Sequence, residues 1–368
     1  MEHLAPWFSL KSVPGVGNVL FRRLLERFGT SEAVLAAPLS ELGEVEGVGP
    51  RVARAIVESG GRLSDTARRS LDRVAELGLS VVTLHDPGYP DLLRHIHDPP
   101  PYLYLAGALP KGAPHVAVVG SRTPTPYGIR QARRISAGLA EAGVVVVSGM
   151  AAGIDTEAHE GALEGGGPTV AVAGCGLANV YPGSNRRLFG EISQNGAVIS
   201  EFPVDARPAA PNFPARNRII SGMCAATIVV EAAARSGSLI TARLAGEQGR
   251  DVMAVPGSVS SDRSAGTNRL IKQGAALVES ARDVLEQLSP TWSVEAGARS
   301  AGRDTPPPRV EMSPEEAMVR AELTPYPTHI DVLAQRLNME SGRIAGILLQ
   351  LELKGVAVQM PGKYFTTA

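Results

Sequence analysis

Short, nearly unbroken apolar runs rich in β-branched residues recur through the middle of the chain. They are SVVTL (80–84), HVAVVG (115–120), VVVVSG (144–149), TVAVAG (169–174), AVIS (197–200), TIVVEA (227–232), DVMAVPG (251–257) and AALV (275–278). Runs without polar alternation suit strands covered on both faces. Helically spaced stretches lie between them, so residues 76–288 are predicted to form a parallel sheet wound with helices. Before it, residues 1–75 read as short helices. Two similar pieces stand there, SVPGVGNVLFRRLLERFG from Ser12 and EVEGVGPRVARAIVESG from Glu44, each a Gly-Val-Gly followed by an amphipathic helix. Residues 289–310 are small, polar and proline-rich and read as a flexible linker. In residues 311–368, SPEEAMVRAEL opens with a Ser-Pro helix start, and HIDVLAQRLNM and ESGRIAGILLQLELKG follow. VAVQMPGKYFT then reads as a hairpin with Pro361-Gly362 in its turn, which completes a winged-helix pattern.

Composition narrows the function classes. The 368 residues carry a formal net charge of -1, so any nucleic-acid surface must be a local feature. Only five of the 36 basic residues are lysines. Genome composition accounts for such a skew, although the planar fork of arginine also suits phosphate. The two cysteines, Cys175 and Cys224, are too few for a Cys-rich zinc site or a disulfide framework, and no HExxH replaces them. No metal or cofactor is expected. The first residues lack the pattern of a signal peptide, and no apolar stretch is long enough to cross a bilayer. A cytoplasmic protein without a membrane partner is the expectation.

The candidate chemistry lies where the predicted strands end, since open α/β sheets bind ligands at the carboxyl ends of their strands. Those ends carry Gly120-Ser121-Arg122-Thr123, Ser148-Gly149, Gly174-Cys175-Gly176, Glu201-Phe202-Pro203 and Pro256-Gly257. Asn185, Arg186 and Arg187 open another helix. Phe213, Pro214, Arg216, Asn217 and Arg218 form a basic stretch before a further strand, and Ser236, Gly237, Ser238 and Thr241 follow TIVVEA. Free N–H groups, hydroxyls and several cations at one sheet edge favour several phosphates, hence a polynucleotide over a mononucleotide. There is no GxxxxGK[ST], and Gly174-x-Gly176 is followed by Asn179 where the dinucleotide fingerprint needs glycine. Asp155, His159, Glu201 and Glu231 are the acid–base groups near strand ends, but no nucleophile–base pair stands at a recognisable spacing. Asp155 reads better as a helix brace and His159 as an ordinary helix residue. The glycines at 15, 17, 47 and 49 resemble helix-hairpin-helix turns that offer N–H groups to a phosphate, and a plain packing module explains them equally well. The last helix of the winged-helix pattern carries only Arg343 and Lys354, a poor DNA-reading face.

Eight ordered motifs, GSRTPTPYG (120–128), SGMAAGIDTEAH (148–159), AVAGCGLANVYPGSN (171–185), SEFP (200–203), FPARNRIISGM (213–223), VVEAAARSGSLITA (229–242), GRDVMAVPG (249–257) and GTNRLIKQGA (266–275), resemble the DNA processing protein A family, DprA, also called Smf. The resemblance covers nearly the whole chain. It implies an α/β protein: an extended Rossmann-like parallel sheet with an N-terminal helical SAM-like (helix-hairpin-helix) domain and a C-terminal winged helix. It also implies a mediator that binds and protects single-stranded DNA entering during natural transformation. Such a mediator loads the recombinase RecA onto that DNA, displaces single-strand-binding protein, and dimerises through the Rossmann-like domain. Carried onto matching positions, it implies a DNA site of Gly120, Ser121, Arg122 and Thr123, with Arg122 foremost. Phe213, Arg216, Asn217, Arg218, Ser236, Gly237 and Ser238 join it, and Arg186 and Arg187 lie on its rim. Phosphate neutralisation and base stacking would hold the strand, with Phe213, Tyr127 and Tyr181 as stacking partners. The alternative is a Rossmann-type nucleotide-processing hydrolase, whose PGG-x-GT-x-x-E motif has its nearest counterpart in EAAARSGSLITAR. That stretch keeps Gly237 and Ser238 but has no glutamate after them.

Overall fold

A computed structural model describes residues 2–60, 63–288, 312–325 and 327–367. The proposed linker, 289–310, lies outside the described residues.

The N-terminal helices run from Ala5 to Glu76. Gly15 and Gly47 turn the chain at φ +93 and +90°, a region where side chains are strained, and helices Asn18–Phe28 and Pro50–Ser59 start just beyond. Pro50 takes the first helical position, where its missing N–H costs nothing, and Gly60 ends that helix in the left-handed conformation. Trp7 stacks on Phe21 with ring centroids 5.5 Å apart. Phe8 stacks on Tyr102 of the sheet at 4.4 Å, so one apolar core runs from the helices into the sheet edge.

Nine strands form that sheet: β1 (Ser80–Thr83), β2 (Tyr102–Gly107), β3 (His115–Val119), β4 (Val145–Ser148), β5 (Thr169–Val172), β6 (Ala197–Ser200), β7 (Ala226–Val229), β8 (Asp251–Ala254) and β9 (Ala276–Leu277). Their order is β1-β2-β6-β5-β4-β3-β7-β8-β9. From β6 to β9 all neighbours are parallel, whereas β1–β2 and β2–β6 pair antiparallel. The antiparallel β2 corrects the sequence reading, which passed over YLYLAG. Its tyrosines and the prolines at 99–101 break the apolar run, yet Tyr104 is buried because the N-terminal helices cover it. A second correction concerns FPARNRIISGM. It does not simply lead into a strand but forms an eleven-residue helix, Asn212–Gly222. From the central β3 the chain winds outward to β4, β5 and β6, then returns to β7 on the other side of β3, which makes β3/β7 the switch point of a doubly wound sheet.

The C-terminal unit holds helices Pro314–Glu322, Ile330–Leu337 and Ser341–Leu353, with a small sheet of β10 (Thr328–His329), β11 (Ala357–Met360) and β12 (Tyr364–Thr367) in the order β10-β12-β11. Ser313 and Glu316 cap the first helix reciprocally. Arg130 Nη1 donates to Thr367 O at 2.8 Å and joins this winged helix to the Rossmann-like part.

His159 is fully buried beneath the sheet. Thr169 Oγ1 gives its one proton to Val146 O (2.7 Å), so His159 must donate Nδ1–H to that hydroxyl (2.7 Å), leaving Nε2 buried without a partner. Burial, helped by the charge of Arg216, lowers the imidazole pKa to about 3. A folded-state pKa below the unfolded one contributes stability that is full above the unfolded value of 6.5 and is lost as pH falls towards 3. Wild type is therefore expected to lose about 2 kcal/mol relative to His159→Leu between pH 6.5 and pH 5, at about 1.4 kcal/mol per pH unit. Urea denaturation of both at the two pH values measures it, and parallel losses would refute a neutral buried His159.

Candidate nucleic-acid interface

At the switch point a cleft of about 760 Å³ opens between the segments that follow β3 and β7. One wall is the turn Gly120-Ser121-Arg122-Thr123, folded on itself by Thr123 N–H donating to Ser121 Oγ at 3.2 Å. Opposite stand Ser236, Gly237 and Ser238 at the start of helix Ser238–Glu247, with the Ser236 and Ser238 hydroxyls 2.8 Å apart. The N–H groups of Ser238, Leu239 and Ile240 in that first turn are already bonded, to Ser236 Oγ at 3.4 Å, Ser236 O at 3.2 Å and Gly237 O at 3.1 Å, so this wall offers a ligand chiefly its two hydroxyls. Phe213, in the first turn of helix Asn212–Gly222, forms a third wall, and Asn217 lies one turn on.

Cations dominate the cleft. Arg122 is exposed, and its guanidinium lies 5.4 Å from the centroid of the Phe213 ring. Among the described residues no carboxylate pairs with Arg122 or with Arg235, which is also exposed and lines the cleft. Arg263 reaches in from beyond β8 and donates to Thr123 O and Oγ1, each at 2.5 Å. The floor is Arg216, 2 % exposed, whose Nη1 donates to Gly149 O at 2.6 Å and to Val172 O. Its Nε has no partner. Burial lowers its pKa to about 10, against the opposing pull of Asp155, so it stays charged at neutral pH. Asp155 is also buried, and desolvation pushes its carboxyl upward against the favourable charge of Arg216 and N–H bonds from Ala151 and Gly149. Residue 149 has to be glycine: a Cβ there would stand 2.6 Å from Asp155 Oδ2 and 2.7 Å from both terminal nitrogens of Arg216. Four arginines thus face one carboxylate in a chain of net charge -1.

Three residues expected at this site lie elsewhere. Arg218 follows Arg216 by two positions on a helix, a rotation of about 200°. It therefore points away from the cleft, pairing with Asp98 (3.0 Å) and Glu201. Arg186 and Arg187 open helix Arg186–Asn195 but line no part of the cleft, and Arg187 pairs with Glu191 at 2.7 Å. Their neighbour Asn185 is buried and donates to Met150 O at 3.0 Å and Thr156 Oγ1 at 2.8 Å, which pins the β4 turn under the floor. Of the stacking candidates, Tyr181 lines the cleft with its ring 5.4 Å from Phe213. Tyr127 does not, because it packs on the core and donates its hydroxyl to Pro256 O. The sequence reading missed Arg235 and Arg263. Arg235 sits inside a motif already singled out, whereas Arg263 lies in a short 3-10 helix, Asp262–Ser264, outside every motif.

The acid–base candidates have structural partners. Glu231 accepts from Thr125 N (3.1 Å) and Thr125 Oγ1 (2.5 Å), which holds the start of helix Pro126–Glu141. Glu201 is ion-paired, and His159 is sealed in the core. Among the described residues no three His, Cys, Asp or Glu side chains are placed to hold a metal ion, and no helix is long and apolar enough to cross a membrane.

Comparison with known proteins bears directly on this architecture. Residues 80–289 match the model of DNA recombination-mediator protein A, residues 303–363 that of the DprA winged helix domain, and residues 9–80 that of the SAM-like helix-hairpin-helix tandem. The chain is 36% identical to the protein Smf of Synechocystis over 391 aligned residues, 97% of each chain. It superposes on the X-ray structure of DNA processing protein A from Streptococcus pneumoniae with a TM-score of 0.67 and 35% identity, covering 77% of this chain and 98% of that one. A second solved structure, DNA processing protein A from Helicobacter pylori, described for its single-stranded DNA binding mode, matches with a TM-score of 0.51 and 32% identity over 57% of this chain and 95% of that one. By sequence along its length and by fold, this chain belongs to the DNA recombination-mediator protein A family.

Proposed function

We propose that the chain binds incoming single-stranded DNA in this cleft, protects it and loads RecA recombinase onto it during natural transformation and recombination, displacing single-strand-binding protein and doing no catalysis of its own. It acts in the cytoplasm as a homodimer joined through the Rossmann-like domain. The observation that carries the reading is the convergence of Arg122, Arg235 and Arg263 on a cleft that also holds two aromatic rings, Phe213 and Tyr181, on which an unpaired base can stack. The Helicobacter relative, described for binding single-stranded DNA, supports the ligand. Membership of a family described as recombination mediators supports the hand-over to RecA. Against a hydrolase stands the lone carboxylate lining the cleft among the described residues, Asp155, which lies beside Arg216 in the floor.

Fluorescence anisotropy with labelled oligo-dT and a duplex of equal length tests the ligand. The single strand is expected to bind more tightly. Three outward arginines, each contributing a slope of about -0.7 in log K against log salt, imply roughly 20-fold weaker binding at 200 mM than at 50 mM salt. Equal and weak binding of both DNAs, or turnover of a mononucleotide, would overturn the reading. Removing residues 311–368 is expected to leave single-strand affinity within about twofold. The winged helix has its own core, and two basic groups of its last helix, Arg343 and Lys354, already pair with Glu315 and Glu316. Loss of binding by a truncated chain that stays folded would reassign part of the site to the winged helix.

A further inference from the structure

The segment 201–214 links the N-terminal helices to the cleft. It leaves β6 at Glu201 and enters helix Asn212–Gly222, with prolines at 203, 208, 211 and 214 and no regular structure before residue 212. Its far half is cleft wall: Pro208, Ala210 and Phe213 line the cavity. The N-terminal helices grip its near half. Asn18 Nδ2 donates to Glu201 Oε2 at 3.3 Å, and Lys11 Nζ donates to Asn18 Oδ1 at 2.5 Å. Arg73 Nε pairs with Asp205 at 3.2 Å. Arg218, on the face of its helix turned from the cleft, closes the arrangement by bridging Glu201 and Asp98. From the other side Gly176 N–H donates to Ala206 O at 2.9 Å and Ala178 N–H to Val204 O at 3.0 Å, whereas the backbone bonds made by residues 207–211 are local, Asn212 N–H to Ala209 O at 3.0 Å and Ala215 N–H to Pro211 O at 3.5 Å, and join them to the helix that follows.

The same grip decides what the paired glycine turns do. Gly15, Gly17 and Gly47 line a crevice of about 660 Å³ that also contains Asp98 and Glu201, so these turns face the sheet domain and its carboxylates. Lys11 and Arg23 line the same crevice, and Arg218 pairs with both carboxylates, so the charges around these turns are largely matched within the protein.

We infer that the N-terminal helical region is a brace that sets the position of the cleft wall through segment 201–214, making Asn18, Lys11, Arg73 and Arg218 positioning residues for strand binding although none lines the cleft. The stiff prolines carry a displacement at Glu201 or Asp205 to Pro208 and Phe213, because proline restricts both itself and the residue before it. The inference rests on the reading that the cleft holds single-stranded DNA.

The test uses the full chain. Asn18→Asp keeps the size of the side chain and an acceptor for Lys11 but sets a carboxylate against Glu201. It is expected to weaken oligo-dT binding about fivefold and to raise amide hydrogen exchange across 201–214. Adding Glu201→Gln restores an amide–carboxylate bond in the reverse sense but reduces the Arg218–Glu201 ion pair to a neutral hydrogen bond, so affinity should recover in part and exceed that of Asn18→Asp. Should Asn18→Asp fold poorly, the exposed pair gives a second route: Arg73→Asp should bind two- to threefold more weakly, and Arg73→Asp with Asp205→Arg should recover. Faster exchange in 201–214 with wild-type affinity in the single variants overturns the inference while leaving the cleft in place. A wild-type chain that does not bind oligo-dT removes the cleft reading, and the inference with it.

Discussion

Arg122→Ala is expected to lower affinity for oligo-dT by ten- to a hundredfold while leaving the fold intact. The side chain is exposed and stands over Phe213, with no carboxylate partner among the described residues, so its charge is available to a ligand. A charge-assisted hydrogen bond is worth about 1.5–3 kcal/mol, roughly ten- to a hundredfold in affinity, and the Phe213 ring beneath the guanidinium orders it for that bond. Truncation removes both, and the salt dependence should become shallower by about 0.7 as one fewer counterion is released. Stability should change by less than about 0.5 kcal/mol, as for other surface substitutions. Arg122→Lys should fall between, since it keeps a point charge but loses the bidentate fork. Anisotropy titrations at two salt concentrations decide the matter, and an unchanged affinity in Arg122→Ala would place the strand elsewhere on the molecule.

Arg216→Met should act on the fold first, with a loss of about 3–5 kcal/mol. Removing a buried cation leaves the nearby buried carboxyl of Asp155 without the charge that favours its ionised form, and leaves the carbonyls of Gly149 and Val172 without their donor. The deficit should shrink in acid. Asp155 already has a folded-state pKa raised by desolvation, and a raised pKa stabilises the folded state below the unfolded value and loses that contribution as pH rises through it. Without Arg216 the carboxyl rises further, so neutral pH is where the variant suffers most. Arg216→Met with Asp155→Asn should recover part of the loss by removing the stranded charge. Denaturant midpoints at pH 7 and pH 5 read all three chains; a single variant as stable as wild type would show that the floor is not an electrostatic unit.

The two predictions separate residues that sequence reasoning had grouped. Arg122 and Arg216 both stand in motifs that resemble the DNA processing protein A family, and by sequence alone both are candidates to contact a strand. Their surroundings divide the labour: an exposed guanidinium can bond a phosphate, whereas a buried one already bonded to two carbonyls shapes the floor and adds its field to the cleft. Arg218 shows the same limit more sharply. In the one-dimensional text it is the second arginine of Arg-Asn-Arg. On a helix it turns away from the first and becomes part of the brace.

What the chain determined by itself is the alternation of buried strands and helices, the turn chemistry at Gly120 and Gly237, and the winged-helix rhythm at its end. These are local: periodicity and glycine punctuation depend on neighbours a few positions away. Even so, β2 escaped, because a strand with tyrosines becomes buried only when Phe8, far off in sequence, stacks on it. Tertiary structure alone decided which arginines face the cleft, that Arg263 is among them, and that the glycine turns of the N-terminal helices look inward. Those outcomes depend on which side chains meet across distances of 20 to 200 residues, and on which charges are neutralised before any ligand arrives. No spacing along the chain encodes that pairing; it follows from the packing of the whole molecule.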